Sequence, residues 1–177
     1  MKQIIVSGFG GQGVLSLGLM LSYAAMKENK NTSFLPSYGP EMRGGTANCS
    51  VVISEKEVAS PVISRPDLLV AFNEPSLVRF VPALNEGGRF FVDSETAKKE
   101  YLLKSNAIAV PLNELCGNNK KGHNIAMFGA MLGFTGLTLE SAEYAVRQVF
   151  KNKPQFIDAN LGCLHEGVDF ARKAGLK

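Results

Sequence analysis

Gly8-Phe9-Gly10-Gly11-Gln12-Gly13 puts four glycines into six residues between two runs of opposite character. Gln3 to Ser7 is apolar and β-branched, as a buried strand is. Val14 to Lys27 repeats its apolar residues at helical spacing, and Ala24, Ala25 and Met26 favour helix. The glycines must therefore make a tight strand-to-helix turn, in which positive φ and close backbone approach come without steric cost. The helix that follows offers free N–H groups and the positive end of its dipole to an anion. An opening of this kind commits the chain to an α/β architecture.

The motif leaves several readings open. A dinucleotide site wants an acid about 20 residues on for the ribose hydroxyls, and Thr32-Ser33-Phe34-Leu35-Pro36-Ser37 contains none. A P-loop is excluded, because no Gly-Lys-Ser/Thr follows the glycines. The remaining roles are packing of the strand on the helix, a different anionic ligand, or a partner's loop.

Downstream the strand–helix rhythm continues. Thr32 to Leu35 reads as a short strand that stops at Pro36, parallel to the first and joined to it by the helix. Asn48 to Ser54 and Val58 to Ile63 read as a hairpin turning at Glu55-Lys56-Glu57. Asp67 to Phe72, Gly88 to Val92 and Ala107 to Pro111 are further strands, with a helix from Pro75 to Leu84. His123 to Phe134, Leu139 to Phe150 and Ala159 to Lys173 read as three helices. The expected fold is α/β: a Rossmann-like, doubly wound, mostly parallel sheet with an inserted β-hairpin and a helical C-terminal third. Residues 1–177 are expected to form a single domain, with function at the carboxyl ends of the strands.

Composition narrows the function. At 45% hydrophobic and 20% charged residues the chain has the makings of a core. A net charge of +3 without a basic stripe argues against nucleic-acid binding. No apolar run reaches the roughly 20 residues of a membrane span, and no leader is expected at Met1-Lys2-Gln3; the expected location is cytoplasmic. Cys49, Cys116 and Cys163 form no CxxC pair and suggest neither a disulfide framework nor a metal site. An iron–sulfur cluster takes four cysteines, so three scattered ones do not hold one.

The second concentration of unusual residues is Ser37-Tyr38-Gly39-Pro40-Glu41-Met42-Arg43-Gly44-Gly45-Thr46, a shaped loop after the second strand. It should neighbour the glycine turn. Arg43 could grip a phosphate or carboxylate and Tyr38 could stack or hydrogen-bond; a solvated arginine and a packed tyrosine are the plainer alternative. His123 and His165 have no matching nucleophile motif. His123 reads as a capping or loop residue, Cys163 as core, and Glu41 with Glu74 as exposed carboxylates. No catalytic residue is expected.

Taken together, Gly8 to Gly13, the block Pro36 to Ala47, the Asn73-Glu74-Pro75-Ser76 turn and the helix start Asn124 to Gly129 resemble the gamma subunits of 2-oxoacid:ferredoxin oxidoreductases, in the 2-oxoglutarate and 2-oxoisovalerate branch. The resemblance covers essentially the whole chain. It implies a part in coenzyme A-dependent oxidative decarboxylation of a 2-oxoacid, with 2-oxoglutarate the expected substrate, yielding acyl-coenzyme A, carbon dioxide and reduced ferredoxin. Thiamine diphosphate, Mg and iron–sulfur clusters would be held by alpha, beta and delta-type subunits, and this chain would hold no cofactor alone. Gly10, Gly11, Gln12, Gly13, Ser37, Tyr38 and Arg43 are the expected contacts to coenzyme A or to a partner loop beside it. A free-standing dinucleotide-dependent oxidoreductase and a pure assembly module are the alternatives.

Overall fold

β1 (Lys2–Phe9) feeds through the glycine turn into α1 (Val14–Lys27), the arrangement expected from the sequence. The structure, a computed structural model, describes residues 1–38, 46–117 and 119–176. The chain continues as β2 (Asn31–Tyr38), β3 (Thr46–Ser54), β4 (Leu68–Ala71), α2 (Glu74–Phe80), β5 (Arg89–Asp93), α3 (Lys99–Leu102) and β6 (Ala107–Val110). α4 (Leu112–Cys116), α5 (His123–Thr135), α6 (Leu139–Val149) and α7 (Ile157–Lys173) complete it. The strands form one sheet in the order β2-β3-β1-β4-β5-β6. β1, β4, β5 and β6 pair in parallel, while β3 runs antiparallel to both β1 and β2.

Three expectations need correcting. The inserted hairpin consists of β2 and β3, with Tyr38 paired to Ala47, and residues 58–63 form no strand. Pro61, which has no ladder donor, and Val62, 69% exposed, sit in the middle of that segment. Pro36 does not end β2, which runs on to Tyr38; at the sheet edge a proline forfeits no ladder bond that a neighbour needs. β1 and β2 do run in the same direction, but β3 lies between them.

Alternation along the strands divides the core. Ile4, Val6, Val70, Phe91, Cys49 and Val51 face the layer of α1, α5, α6 and α7. Ile5, Leu69, Ala71, Phe90 and Val92 face the thinner layer with Leu77 of α2. α5 lies between the sheet and α7, with Ile125, Met127, Phe128 and Met131 fully buried; each such side chain contributes about 1.5–3 kcal/mol. Backbone meets backbone here, since a Cβ on Gly129 would overlap the Leu164 carbonyl and one on Gly167 the Ala126 carbonyl.

A carboxylate joins α1 to α6. Glu28, just past α1, accepts from Thr138 N at 2.7 Å, Thr138 Oγ1 at 2.9 Å, Ser141 Oγ at 2.6 Å and Lys30 Nζ at 2.8 Å. Thr138 is the N-cap of α6. Burial alone would raise the Glu28 carboxyl, but these bonds outweigh it and hold the group at about 2, against an ordinary 4.5. A carboxyl depressed in this way adds stability that is complete above pH 4.5 and is lost as pH falls toward 2. Glu28→Gln should cost about 2 kcal/mol at pH 7, read as a lower urea midpoint. The gap between variant and parent should close between pH 4.5 and 2.

Candidate functional site: the glycine-turn pocket

The turn is pinned from two sides. Gln12 Oε1 accepts the Phe9 N–H at 2.6 Å and Gln12 Nε2 donates to the Phe72 carbonyl at 3.0 Å. One side-chain amide thus ties the end of β1 to the residue after β4. Gly8 leaves it room, for a Cβ there would lie 2.7 Å from Gln12 Oε1 and 3.0 Å from Phe72 Cβ. On the other side Asn124, 5% exposed at the start of α5, donates from Nδ2 to the Gly13 carbonyl at 3.2 Å. Gly13 has φ +76°, and a Cβ there would fall 2.5 Å from Asn124 Cγ. Both the left-handed backbone and the seating of Asn124 therefore demand glycine.

What the turn presents is the N-terminus of α1. That helix has no side-chain cap and no acid in its first turn. Among the described residues nothing caps its leading N–H groups, which can bind an anion. They border a pocket of about 330 Å³ lined by Phe9, Gly10, Gly11, Gly13, Val14, Leu15, Ser16, Tyr38, Thr46 and Ala47. Tyr38, 70% exposed, closes it from the end of β2. Among the described residues the lining contains no carboxylate.

The expected contacts divide accordingly. Gly10, Gly11, Gly13 and Tyr38 meet in the pocket, so the two loops are neighbours as the sequence indicates. Gln12 spends its amide on the Phe9 N–H and the Phe72 carbonyl. Ser37 alternates with Tyr38 along β2 and is carried on the opposite face. Arg43 and Glu41 lie outside the described residues. The helix start expected to face an anion is supplied by Val14, Leu15 and Ser16, whereas the support from Asn124, 111 positions from the glycine it holds, escapes sequence reasoning.

Elsewhere along the carboxyl edge the groups are mostly committed. Asn73 caps α2, accepting from Ser76 N at 2.9 Å and Ser76 Oγ at 2.6 Å, and Ser76 Oγ meets Ser7 Oγ at 2.8 Å. Glu74 is ion-paired with Lys98. His123 is the first residue of α5, with Gly122 as the cap; its Nε2 is buried without a partner, and burial lowers its pKa. His165 pairs with Glu143 at 2.6 Å. Among the described residues no group of three or more metal-ligating side chains comes together, and no helix is long and apolar enough to cross a membrane.

Residues 3–170 match the family model described as pyruvate ferredoxin/flavodoxin oxidoreductase. The chain belongs to that family. It is 49% identical to the ketoisovalerate oxidoreductase subunit VorA of Methanothermobacter marburgensis, over 97% of this chain and 37% of that protein. It therefore spans little more than a third of VorA's length. The 2-oxoglutarate synthase subunit KorC of Methanocaldococcus jannaschii is 32% identical over 97% of this chain and 95% of its own. The fold is that of the family's gamma subunits. The gamma subunit of a keto/oxoacid ferredoxin oxidoreductase from Geobacter sulfurreducens superposes with a TM-score of 0.81 at 29% identity, covering 98% and 99% of the two chains. The 2-oxoglutarate:ferredoxin oxidoreductase of Magnetococcus marinus shares the fold at a TM-score of 0.86 and 19% identity, over 98% of this chain and 32% of that one.

For this family member the seating of Gly13 makes a sharp test. Gly13→Ala should destabilise by about 2 kcal/mol or more through φ strain and the clash with Asn124. Asn124→Ala alone should cost about 1–3 kcal/mol for the lost bond. The double variant should be less destabilised than the sum, because the clash has no partner left. Urea midpoints of the four proteins measure this.

Proposed function

We propose that the chain is the gamma subunit of a multi-subunit 2-oxoacid:ferredoxin oxidoreductase and that its glycine-turn pocket receives the phosphate portion of coenzyme A. The reaction converts a 2-oxoacid and coenzyme A thiol into acyl-coenzyme A, carbon dioxide and one proton. Two electrons pass to ferredoxin. The observation that carries the reading is the uncapped start of α1 opening into a pocket whose described lining holds no carboxylate. There backbone N–H groups and the helix dipole supply what a pyrophosphate needs. The Magnetococcus enzyme, which shares the fold, was captured with 2-oxoglutarate, coenzyme A and succinyl-CoA bound.

The topology weighs against a nicotinamide dinucleotide. In a dinucleotide-binding sheet the second strand lies beside the first and its end carries the ribose-binding acid. Here β3 occupies that place, which puts the end of β2 one strand further out, about 4.8 Å. In this reading thiamine diphosphate, Mg and the iron–sulfur clusters belong to the alpha, beta and delta-type subunits, and the assembly works in the cytoplasm. Gly10, Gly11, Gly13 and the first turn of α1 bind phosphate, Tyr38 flanks the ligand, and Arg43 adds charge from the loop. The chemistry stays with the cofactor and the protein supplies binding and geometry. Identity of 49% to a ketoisovalerate VorA, against 32% to a 2-oxoglutarate KorC, favours a branched-chain 2-oxoacid over 2-oxoglutarate.

Anaerobic purification of the tagged chain from its native cell should bring down thiamine- and cluster-binding chains that reduce a viologen dye only when both a 2-oxoacid and coenzyme A are present. Comparing ketoisovalerate with 2-oxoglutarate names the substrate. In that complex Tyr38→Ala should raise the coenzyme A KM about tenfold, with kcat and subunit recovery unchanged. Unchanged KM together with lost assembly would instead make the pocket a packing surface.

A further inference from the structure

Cys116 and Cys163 are far apart in sequence, and neither belongs to a CxxC motif. The fold brings them together. Cys116 ends α4, Cys163 lies in α7 and is 8% exposed, and both sulfurs crowd one point, the missing side chain of Gly122. A Cβ on Gly122 would overlap Cys163 Sγ and come within 3.3 Å of Cys116 Sγ. The two sulfurs therefore face one small space from opposite elements, α4 and α7. Gly122 thus does for this pair what Gly13 does for Asn124: its lack of a side chain lets two groups approach.

We propose that Cys116 and Cys163 form a two-electron redox couple that hydrogen peroxide converts into an intrachain disulfide joining α4 to α7.

The pair is electronically asymmetric. The neighbouring Cys116 sulfur lowers the Cys163 thiol, although burial opposes it. The same closeness, with burial, pushes the Cys116 thiol up. In the proposed couple Cys163 is the thiolate that attacks and Cys116 the thiol that resolves. Cys163 sulfur takes one peroxide oxygen, the O–O bond breaks, and hydroxide leaves to be protonated as water. Cys116 then gives up its proton and attacks the sulfenic sulfur; the S–O bond breaks, a second water leaves and the S–S bond forms. Two thiols lose two electrons and one peroxide becomes two waters. Cys116 is half-buried, and a cavity of about 700 Å³ lies nearby, lined by Asn119 and by Asn160, which stands one turn before Cys163 on α7.

Cys49 is the internal control. It is fully buried on β3, bonded to the Val14 carbonyl at 3.7 Å, and pushed up to about 12 by burial. In the reduced chain all three cysteines are free. The full chain should be treated with hydrogen peroxide, unfolded, alkylated with N-ethylmaleimide and examined by peptide mass spectrometry. The expected result is alkylation at Cys49 alone, a cross-linked peptide pair containing Cys116 and Cys163 at the mass of two lost hydrogens, and full reversal by dithiothreitol. Cys116→Ser should leave a sulfenic acid on Cys163 that dimedone traps, whereas Cys163→Ser should leave Cys116 alkylatable; both changes are close to isosteric. Alkylation at all three positions in the parent would overturn the proposal. So would intermolecular disulfides, or sulfinic acid on Cys163 without the cross-link.

Discussion

The Gln12 side-chain amide, accepting from Phe9 and donating to the Phe72 carbonyl, joins the ends of two neighbouring parallel strands at the point where the chain turns into α1. The geometry beyond it follows from that tie. With the ends of β1 and β4 held together, Gly13 reaches its left-handed conformation directly beneath α5, and Asn124 closes on it from the other side. The first turn of α1 is then held open between two fixed supports. A loop carrying the same glycines without these ties would have to order itself on binding, and that entropy would come out of the affinity.

The second constraint is the close approach of α5 and α7. Glycines at 129 and 167 let the helices touch backbone to backbone, which lets α5 sit deep enough against the sheet for its first residues to reach the glycine turn. The pocket at the carboxyl edge therefore depends on packing in the helical layer behind it. The Cys116–Cys163 pair occupies the same layer, where α4 and α7 meet just ahead of α5. Glu28 performs a comparable task at the opposite end of α1, tying it to α6 with a carboxylate surrounded by donors.

Much of this was legible in the amino-acid order. The strand–turn–helix opening and the three C-terminal helices follow from periodicity and glycine placement, and each is found within a residue or two of its expected bounds. The meeting of Gly10, Gly11 and Gly13 with Tyr38 was legible too, because loops that follow parallel strands emerge at one edge. The partner of β3 was not: Asn48 to Ser54 looks equally able to pair forward or backward, and only Pro61 argues against the forward choice. Gln12 looked like a ligand donor because nothing local says that a carbonyl 60 positions away takes its amide. Asn124 and the cysteine pair act through contacts that only helix packing creates, so no local pattern announces them.

The central claim is that the first-turn N–H groups of α1 are the anion-binding element. Hydrogen–deuterium exchange on the assembled enzyme, with and without coenzyme A, tests it most directly. The account predicts that the amides of Val14, Leu15 and Ser16 become strongly protected when coenzyme A is bound, while those of α6 do not change. Equal exchange at the three positions with coenzyme A at saturation would contradict it and leave the glycine turn as a packing device.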